Sequence, residues 1–225
     1  MKTISIAIDG PSGAGKSTLA HSVSAKLGYV YVDTGALYRT IGYYIFSKNI
    51  DPKDEASVAA QLPDIQVEMA HGEDGLQHMI LNGQDVTKEI RLPQISMYAS
   101  AVSAHPSVRA FLLEMQRQLA RTYNVIMDGR DIGTVVLPNA DVKIFLTATL
   151  DARAYRRTLE LEQRGTPQPF EAVKADIEQR DWNDTHRPTA PLKQADDAVL
   201  LDTTELTFAE SEDAIIQIIR EKTAL

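Results

Sequence analysis

Residues 3–27 read TISIAIDGPSGAGKSTLAHSVSAKL, and the pattern inside this stretch decides the fold. Ile4, Ile6 and Ile8 form a short β-branched run that stops at Gly10-Pro11, and Lys16 to Leu27 then carries Leu19, Ala20, Val23 and Leu27 at helical spacing. A strand, a glycine loop and a helix therefore follow one another. Across the loop Gly10, Pro11, Ser12, Gly13, Ala14, Gly15, Lys16 and Ser17 match G-x-x-x-x-G-K-[ST] at every fixed place, with Thr18 next. The glycines let backbone N–H groups converge on phosphate oxygens where a Cβ would obstruct them, and the helix start adds its partial positive end. Lys16 brings a point charge for the β and γ oxygens of a nucleoside triphosphate, and the Ser17 hydroxyl is a hard oxygen ligand suited to magnesium.

Outward from the loop, Tyr29 to Val32 is a second strand-like run, ending at Asp33-Thr34-Gly35, and a helical stretch runs from Ala36 to about Phe46. This βαβα rhythm predicts a parallel sheet, because parallel strands need a crossover helix. After Pro52 the rhythm changes. Asp64 to Ala70 and Leu76 to Leu81 read as short strands around the polar turn His71 to Gly75, and a second turn follows at Asn82-Gly83-Gln84-Asp85. We therefore expect a small antiparallel insertion over about residues 63–93. Pro93 to Arg121 is helical with a break at His105-Pro106, and Tyr123 to Met127 is a core strand running into Asp128-Gly129-Arg130-Asp131. Val142 to Leu146 and Ala198 to Leu201 complete the expected strands. Helices are expected at about 151–164 and 169–185, and a final one from Phe208 to Lys222 presents Ile215, Ile216, Ile218 and Ile219 to the sheet.

The bulk composition narrows the function. The 225 residues suit one core with insertions. With 31 acidic against 23 basic residues the net charge is −8, which opposes a broad grip on a nucleic acid polymer or an anionic membrane. The absence of cysteine excludes disulfides and thiolate metal sites and fits a reducing cytosol. The N-terminus lacks the long apolar region of a secretion signal, and no run approaches the ~20 apolar residues of a membrane span. A soluble, cytoplasmic protein is expected. The five histidines show no metal-ligand spacing and are read as surface or loop residues, and Trp182 is read as a packing residue.

A phosphate loop alone does not separate kinases from switches or transporters. Neither an N-K-x-D base-reading motif nor an L-S-G-G-Q-like segment occurs. Instead Arg153, Arg156, Arg157, Arg164, Arg180 and Arg187, six of thirteen arginines, fall between positions 151 and 187. Phosphoryl transfer uses such guanidinium forks on its equatorial oxygens. Arg153, Arg156 and Arg157 stand at i, i+3, i+4, so one helix face can carry all three, although a solvated face paired with Glu160 and Glu162 has the same spacing. Arg39 and Arg130 both follow the carboxyl ends of expected parallel strands, where open α/β sheets bind ligands. Asp128 and Asp131 could meet magnesium or an acceptor, or pair with Arg130.

Taken together these segments resemble the bacterial cytidylate kinase family of the nucleoside monophosphate kinase superfamily. The resemblance is carried by IDGPSGAGKST, by DTGALYR at Asp33 to Arg39, by DGRDIGTVV with Pro138 and Asp141 after it, by VKIFLTA from Val142, and by the segment from Arg180 to Leu192. It covers almost the whole chain in order. It implies an α/β fold with a P-loop NTPase-type parallel sheet flanked by helices, a small antiparallel insertion and a helical lid. The core would be about 1–33, 106–150 and 190–225, the monophosphate-binding region about 34–105, and the lid about 151–189.

The implied reaction is phosphorylation of CMP or dCMP by ATP with magnesium; separately from the resemblance, a monomer is expected. Carried over by position, Gly10 to Thr18 bind ATP and Ser17 holds the magnesium. Thr34, Tyr38 and Arg39 flank the acceptor, with Arg39 and Arg130 on its phosphate. Ser100, Arg109, Asp131 and Arg187 read the cytosine edge, and Arg180 and Asp184 contact the sugar. Lys16, Arg130 and the lid arginines Arg153 and Arg157 act on the transferring group. Asp131 suits its place, since a carboxylate accepts from the exocyclic amine that distinguishes cytosine from uracil. Thr34 stands where serine also occurs and keeps the hydroxyl, whereas Trp182, Asn183 and Thr185 are less polar or less charged than the lid residues of some members. Two other readings stay open: a kinase of this core acting on a different small acceptor such as shikimate, and a nucleotide-dependent switch.

Overall fold

The computed structural model describes residues 3–72 and 77–223. In chain order the elements are β1 (Ser5–Asp9), α1 (Lys16–Leu27), β2 (Val30–Asp33), α2 (Thr34–Ser47), α3 (Glu55–Ala59), β3 (Val67–His71), β4 (Gln77–Leu81) and β5 (Gln84–Asp85). They continue with α4 (Pro93–Val102), α5 (Pro106–Thr122), β6 (Val125–Gly129), β7 (Val142–Thr147), α6 (Leu150–Gln163), α7 (Phe170–His186), β8 (Val199–Asp202) and α8 (Phe208–Thr223). Two compact units result, one of Met1–Tyr31 with Ala120–Leu225 and one of Val32–Leu119.

The first unit is built on a five-stranded sheet in the order β2-β6-β1-β7-β8. Strand β1 lies between β6 and β7, parallel to both, with Ile8 beside Asp128 and Ile144. Ile6, Ala7 and Ile8 are fully buried, as a strand covered on both faces requires. Leu19, Ala20 and Val23 of α1 and Ile215 and Ile219 of α8 pack with them, so the isoleucines of the last helix reach the core as their spacing predicts. Ala154, Leu161, Val173 and Ile177 form a separate small cluster that holds α6 to α7.

The second unit contains the antiparallel sheet β3-β4-β5. Asn82 and Gly83 take φ of 50° and 81° between the paired Leu81 and Gln84. A two-residue hairpin loop with both φ positive fits strand twist, and Asn-Gly is its favoured sequence. The segment read only as a turn at Asn82 to Asp85 therefore yields a third strand. Of the other turn, residues 73–75 lie outside the described residues, as does Leu76.

Several boundaries differ from the sequence reading for local reasons. Helix α2 begins at Thr34 because the Asp33 carboxylate accepts from the Ala36 N–H at 2.9 Å, a side-chain N-cap. Strand β6 starts at Val125, two residues late, because Asn124 bonds sideways: its side-chain oxygen accepts from the Ile4 N–H at 2.8 Å and its carbonyl from the Val30 N–H. Helix α3 is one capped turn behind Asp54, too short to show a period. His105, read as a surface or loop residue, lies in the loop between α4 and α5 but is buried there, bonding through Nε2 to the Pro52 carbonyl at 2.8 Å. Trp182 packs in no core; it is exposed and stacks on His186 with ring centroids 3.5 Å apart. No helix among the described residues is long and apolar enough to cross a membrane.

Candidate active site

Strand β1 ends at Asp9 and the loop turns at Gly10, where φ is 151° and an added Cβ would lie 1.9 Å from the Leu146 carbonyl oxygen. Glycine is obligatory there. The loop ends at Gly15, which precedes α1 without any side-chain cap. The first N–H groups of α1 thus keep no capping side chain and present an anion site. Lys16 is buried, and its Nζ donates to the Pro11 carbonyl at 2.7 Å. Burial, and then the neighbouring Arg130, hold its ammonium down to about 7, against the pull of Asp128, Asp184 and Asp9. Ser17 Oγ donates to Asp128 Oδ2 at 2.8 Å, and Tyr31 donates to the other oxygen at 2.8 Å.

Above the loop the first unit gathers a chain of charges. Arg130 donates from Nε to Asp184 at 2.7 Å and from Nη2 to Ser12 Oγ at 3.0 Å. Arg187 lies 3.4 Å from Asp131 and 3.8 Å from Asp184, and its Nε donates to the Ala190 carbonyl at 2.8 Å. Burial alone would raise the Asp184 carboxyl, but Arg130 and Arg187 hold it below its ordinary range. Asp131 and Arg153 are also buried. Arg153 donates to the carbonyls of Ala148 and Ser12 and to Asp181, whose other oxygen accepts from the Ser12 N–H at 2.9 Å.

The three arginines at helical spacing on α6 do not share a target. Arg153 turns to the phosphate loop, Arg156 to Thr203 and Arg157 to Glu160 at 2.8 Å. Arg180 lies 3.9 Å from Asp176, one turn back on α7. The first unit thus brings together the phosphate loop, Arg130, Asp131, Arg153, Asp184 and Arg187. It does not bring Arg157 into that cluster.

The second unit holds its own set. Thr34 is buried at the start of α2, and Arg39 lies 4.0 Å from Asp33. The Arg109 guanidinium sits over the Tyr38 ring at 5.5 Å and donates to the Ser103 carbonyl, while Ser100 is half-buried on α4. Gln77 of β4 accepts from the Asp33 N–H at 2.8 Å and donates to its carbonyl at 3.3 Å, which ties the small sheet to the start of α2.

Sequence reasoning missed Asp9, Gln77 and Asp181. Asp9 had a signal, being an acid at the end of an apolar strand directly before the loop. Gln77 and Asp181 had none, since an amide in a hairpin and an acid on a charged helix are both ordinary. Among the described residues no group of three or more histidines, cysteines or acids is placed to hold a metal. The hydroxyl and carboxylate oxygens at Ser17 and Asp128 do fit magnesium, a hard ion that keeps several waters and takes few protein ligands.

A parallel sheet with a glycine loop at the end of β1, an uncapped helix start and a buried lysine defines a P-loop protein that binds nucleoside triphosphates. The sequence profile described as cytidylate kinase matches residues 6–221, and the chain belongs to the cytidylate kinase family. It is similar to the cytidylate kinase of Caldicellulosiruptor bescii, at 48% identity over 97% of this chain and 96% of the relative. Against the cytidylate kinase of Ligilactobacillus salivarius the identity is 46% over 99% of both chains. The solved structure of an uncharacterized protein from Eubacterium ventriosum aligns with 96% of this chain and 98% of its own at a TM-score of 0.53 and 11% identity, a likeness of fold alone. As a member of its family the chain is an enzyme of the nucleoside monophosphate kinase kind, transferring a phosphoryl group from ATP.

Proposed function

We propose that the chain phosphorylates CMP and dCMP, giving CDP and dCDP. The observation that carries this reading is the buried Asp131–Arg187 pair, 3.4 Å apart, immediately beyond Arg130, which itself reaches Ser12 of the phosphate loop. A carboxylate that accepts from the exocyclic amine and a guanidinium that donates to the ring carbonyl and nitrogen read cytosine and reject uracil. The adjacent Arg130 meets the acceptor phosphate. The family resemblance adds Thr34, Tyr38 and Arg39 beside the acceptor, Ser100 and Arg109 at the base, and Arg180 and Asp184 at the sugar.

In this proposal an oxygen of the CMP phosphate attacks the γ-phosphorus of ATP in line. The new P–O bond forms as the bond to the β-bridging oxygen breaks, ADP leaves, and no covalent enzyme intermediate occurs. The loop amides from Gly10 to Thr18 and the Lys16 ammonium hold the donor. Magnesium, held through Ser17 and in reach of Asp128, would neutralise charge on the β and γ oxygens. Arg39 and Arg130 orient the acceptor phosphate, and the lid over about 151–189, with Arg153 and Arg157, closes on the transferring group and excludes water. A cytoplasmic monomer belongs to the same proposal.

The test is coupled ADP release from ATP and magnesium across CMP, dCMP, UMP, AMP, GMP and shikimate. Strong stimulation by CMP and dCMP with much weaker UMP supports the reading. Preference for another acceptor discards the roles of Asp131 and Arg187, and no stimulation at all favours a nucleotide-dependent switch.

A further inference from the structure

We propose that Asp9 is a positioning residue for the acceptor, acting by holding the backbone amides that follow Asp131 and so aiming Asp131 and Arg130. The inference rests on the acceptor-binding role given to those two residues above. Asp9 is the last residue of β1 and is buried. A carboxylate in such a place is costly unless its oxygens are satisfied. Here both are: Oδ1 accepts from the Ile132 N–H at 2.8 Å and Oδ2 from the Gly133 N–H at 2.7 Å.

Those two amides open the π-helical turn Ile132–Val136, and the first N–H groups of a helical turn have no partner within it. An aspartate standing just before such a turn ordinarily supplies the cap from its own side chain. Asp131 makes no such cap bond from its side chain, and its backbone carbonyl accepts from the N–H groups of Val135 and Val136. Asp9, 123 residues away in sequence from Ile132, takes over the capping. The Asp131 carboxylate is thereby left facing Arg187. Without Asp9 the orphaned amides would compete for the Asp131 side chain, the group that the acceptor base needs.

The surroundings keep the clamp narrow. A Cβ added at Gly133 would stand 3.3 Å from Asp9 Oδ2 and 3.1 Å from Lys143 Cδ. Burial, with the two amides and Lys16 opposing it and the Asp131 charge reinforcing it, leaves the Asp9 carboxyl raised to about 6. Asp131 from the loop after β6, Lys16 from α1 and the Lys143 side chain from β7 are the charged groups facing this region, and Lys143 directs its own ammonium to Asp197 and the Pro138 carbonyl.

The experiment is steady-state kinetics of the full chain as wild type, Asp9→Asn and Gly133→Ala, with thermal melting alongside. Asparagine keeps the size but turns an NH₂ toward one of the two amides. We expect the KM for CMP to rise about tenfold or more and the CMP-to-UMP preference to fall, with the KM for ATP within about twofold of wild type. Gly133→Ala, which crowds the same carboxylate, should raise the KM for CMP about two- to fivefold with the same ATP insensitivity. It carries the test if Asp9→Asn does not fold.

The pH dependence supplies a readout that a purely structural cap would not move. Below about pH 6 the Asp9 carboxylate of the wild type takes up a proton, whereas the amide of the Asp9→Asn variant does not titrate. The wild-type advantage in kcat/KM should therefore shrink as pH falls. Titration of the acceptor phosphate is common to both and cancels in the ratio. The proposal fails if the variants melt lower yet keep the KM for CMP and the preference, or if both KM values rise together. If the wild type uses an acceptor other than CMP, the functional reading fails separately, and the positioning role is judged by the KM for that acceptor.

Discussion

The Ser17 hydroxyl donates to the Asp128 carboxylate at 2.8 Å, joining the first turn of α1 to β6. With Tyr31 on the other carboxylate oxygen, these groups form the oxygen set suited to magnesium. Ser17→Ala and Asp128→Asn should each raise the magnesium concentration for half-maximal activity by about tenfold or more, as loss of metal-holding groups does. Magnesium titration at saturating substrates measures it, and an unchanged midpoint in both variants removes the assignment.

Lys16 answers to pH through nucleotide binding. Its ammonium is held down to about 7 by burial and then by Arg130, and a bound triphosphate restores the charged form. Binding should therefore take up a proton once pH exceeds about 7, and affinity should fall with rising pH by up to about tenfold per unit. Calorimetry of ATP binding at pH 8 in buffers of different ionisation heat reads the uptake directly. Equal heats after buffer correction for zero protons would contradict it.

Removing the Lys16 side chain should cost kcat rather than fold. Lys16→Ala loses the charge on the transferring group, and kcat should drop on the order of 10²–10³ with circular dichroism unchanged. Near-normal turnover would end its role in the transfer.

Base reading is testable at one position. Asp131→Asn replaces an acceptor-only group with an amide that can also donate, so kcat/KM for CMP over UMP should fall by about tenfold to a hundredfold. A retained ratio would move cytosine recognition elsewhere.

The core sets the last expectation. Ile215 of α8 is fully buried against β1, β7 and α1 residues, so Ile215→Ala should cost about 2–5 kcal/mol. Denaturant unfolding measures it, and a loss below about 1 kcal/mol would mean that the site refills.

Sequence legibility followed the range of the interactions. The strand at Ile4 to Ile8 was visible as a β-branched run that stops at Gly10-Pro11, the helices because burial of one face repeats at a fixed spacing, and the phosphate loop because its chemistry needs glycine, lysine and serine at fixed offsets. Helix α3 and the π-helical turn Ile132–Val136 were not, since one turn is too short to show a period. The arginines illustrate the limit on sites: Arg153, Arg156 and Arg157 share a spacing but end at Ser12 with Asp181, at Thr203 and at Glu160.

By itself, then, the sequence determined the parallel α/β architecture, the phosphate loop and the family, because each is read from short motifs whose residues are close together in the chain, the family from several such motifs in order. Only the tertiary structure decided that Asp9 caps a turn 123 residues away, that Asp181 meets the Ser12 amide, and that Asp131 faces Arg187. These pairings satisfy buried charges and amides, and which partner satisfies a buried group depends on how the strands and helices pack.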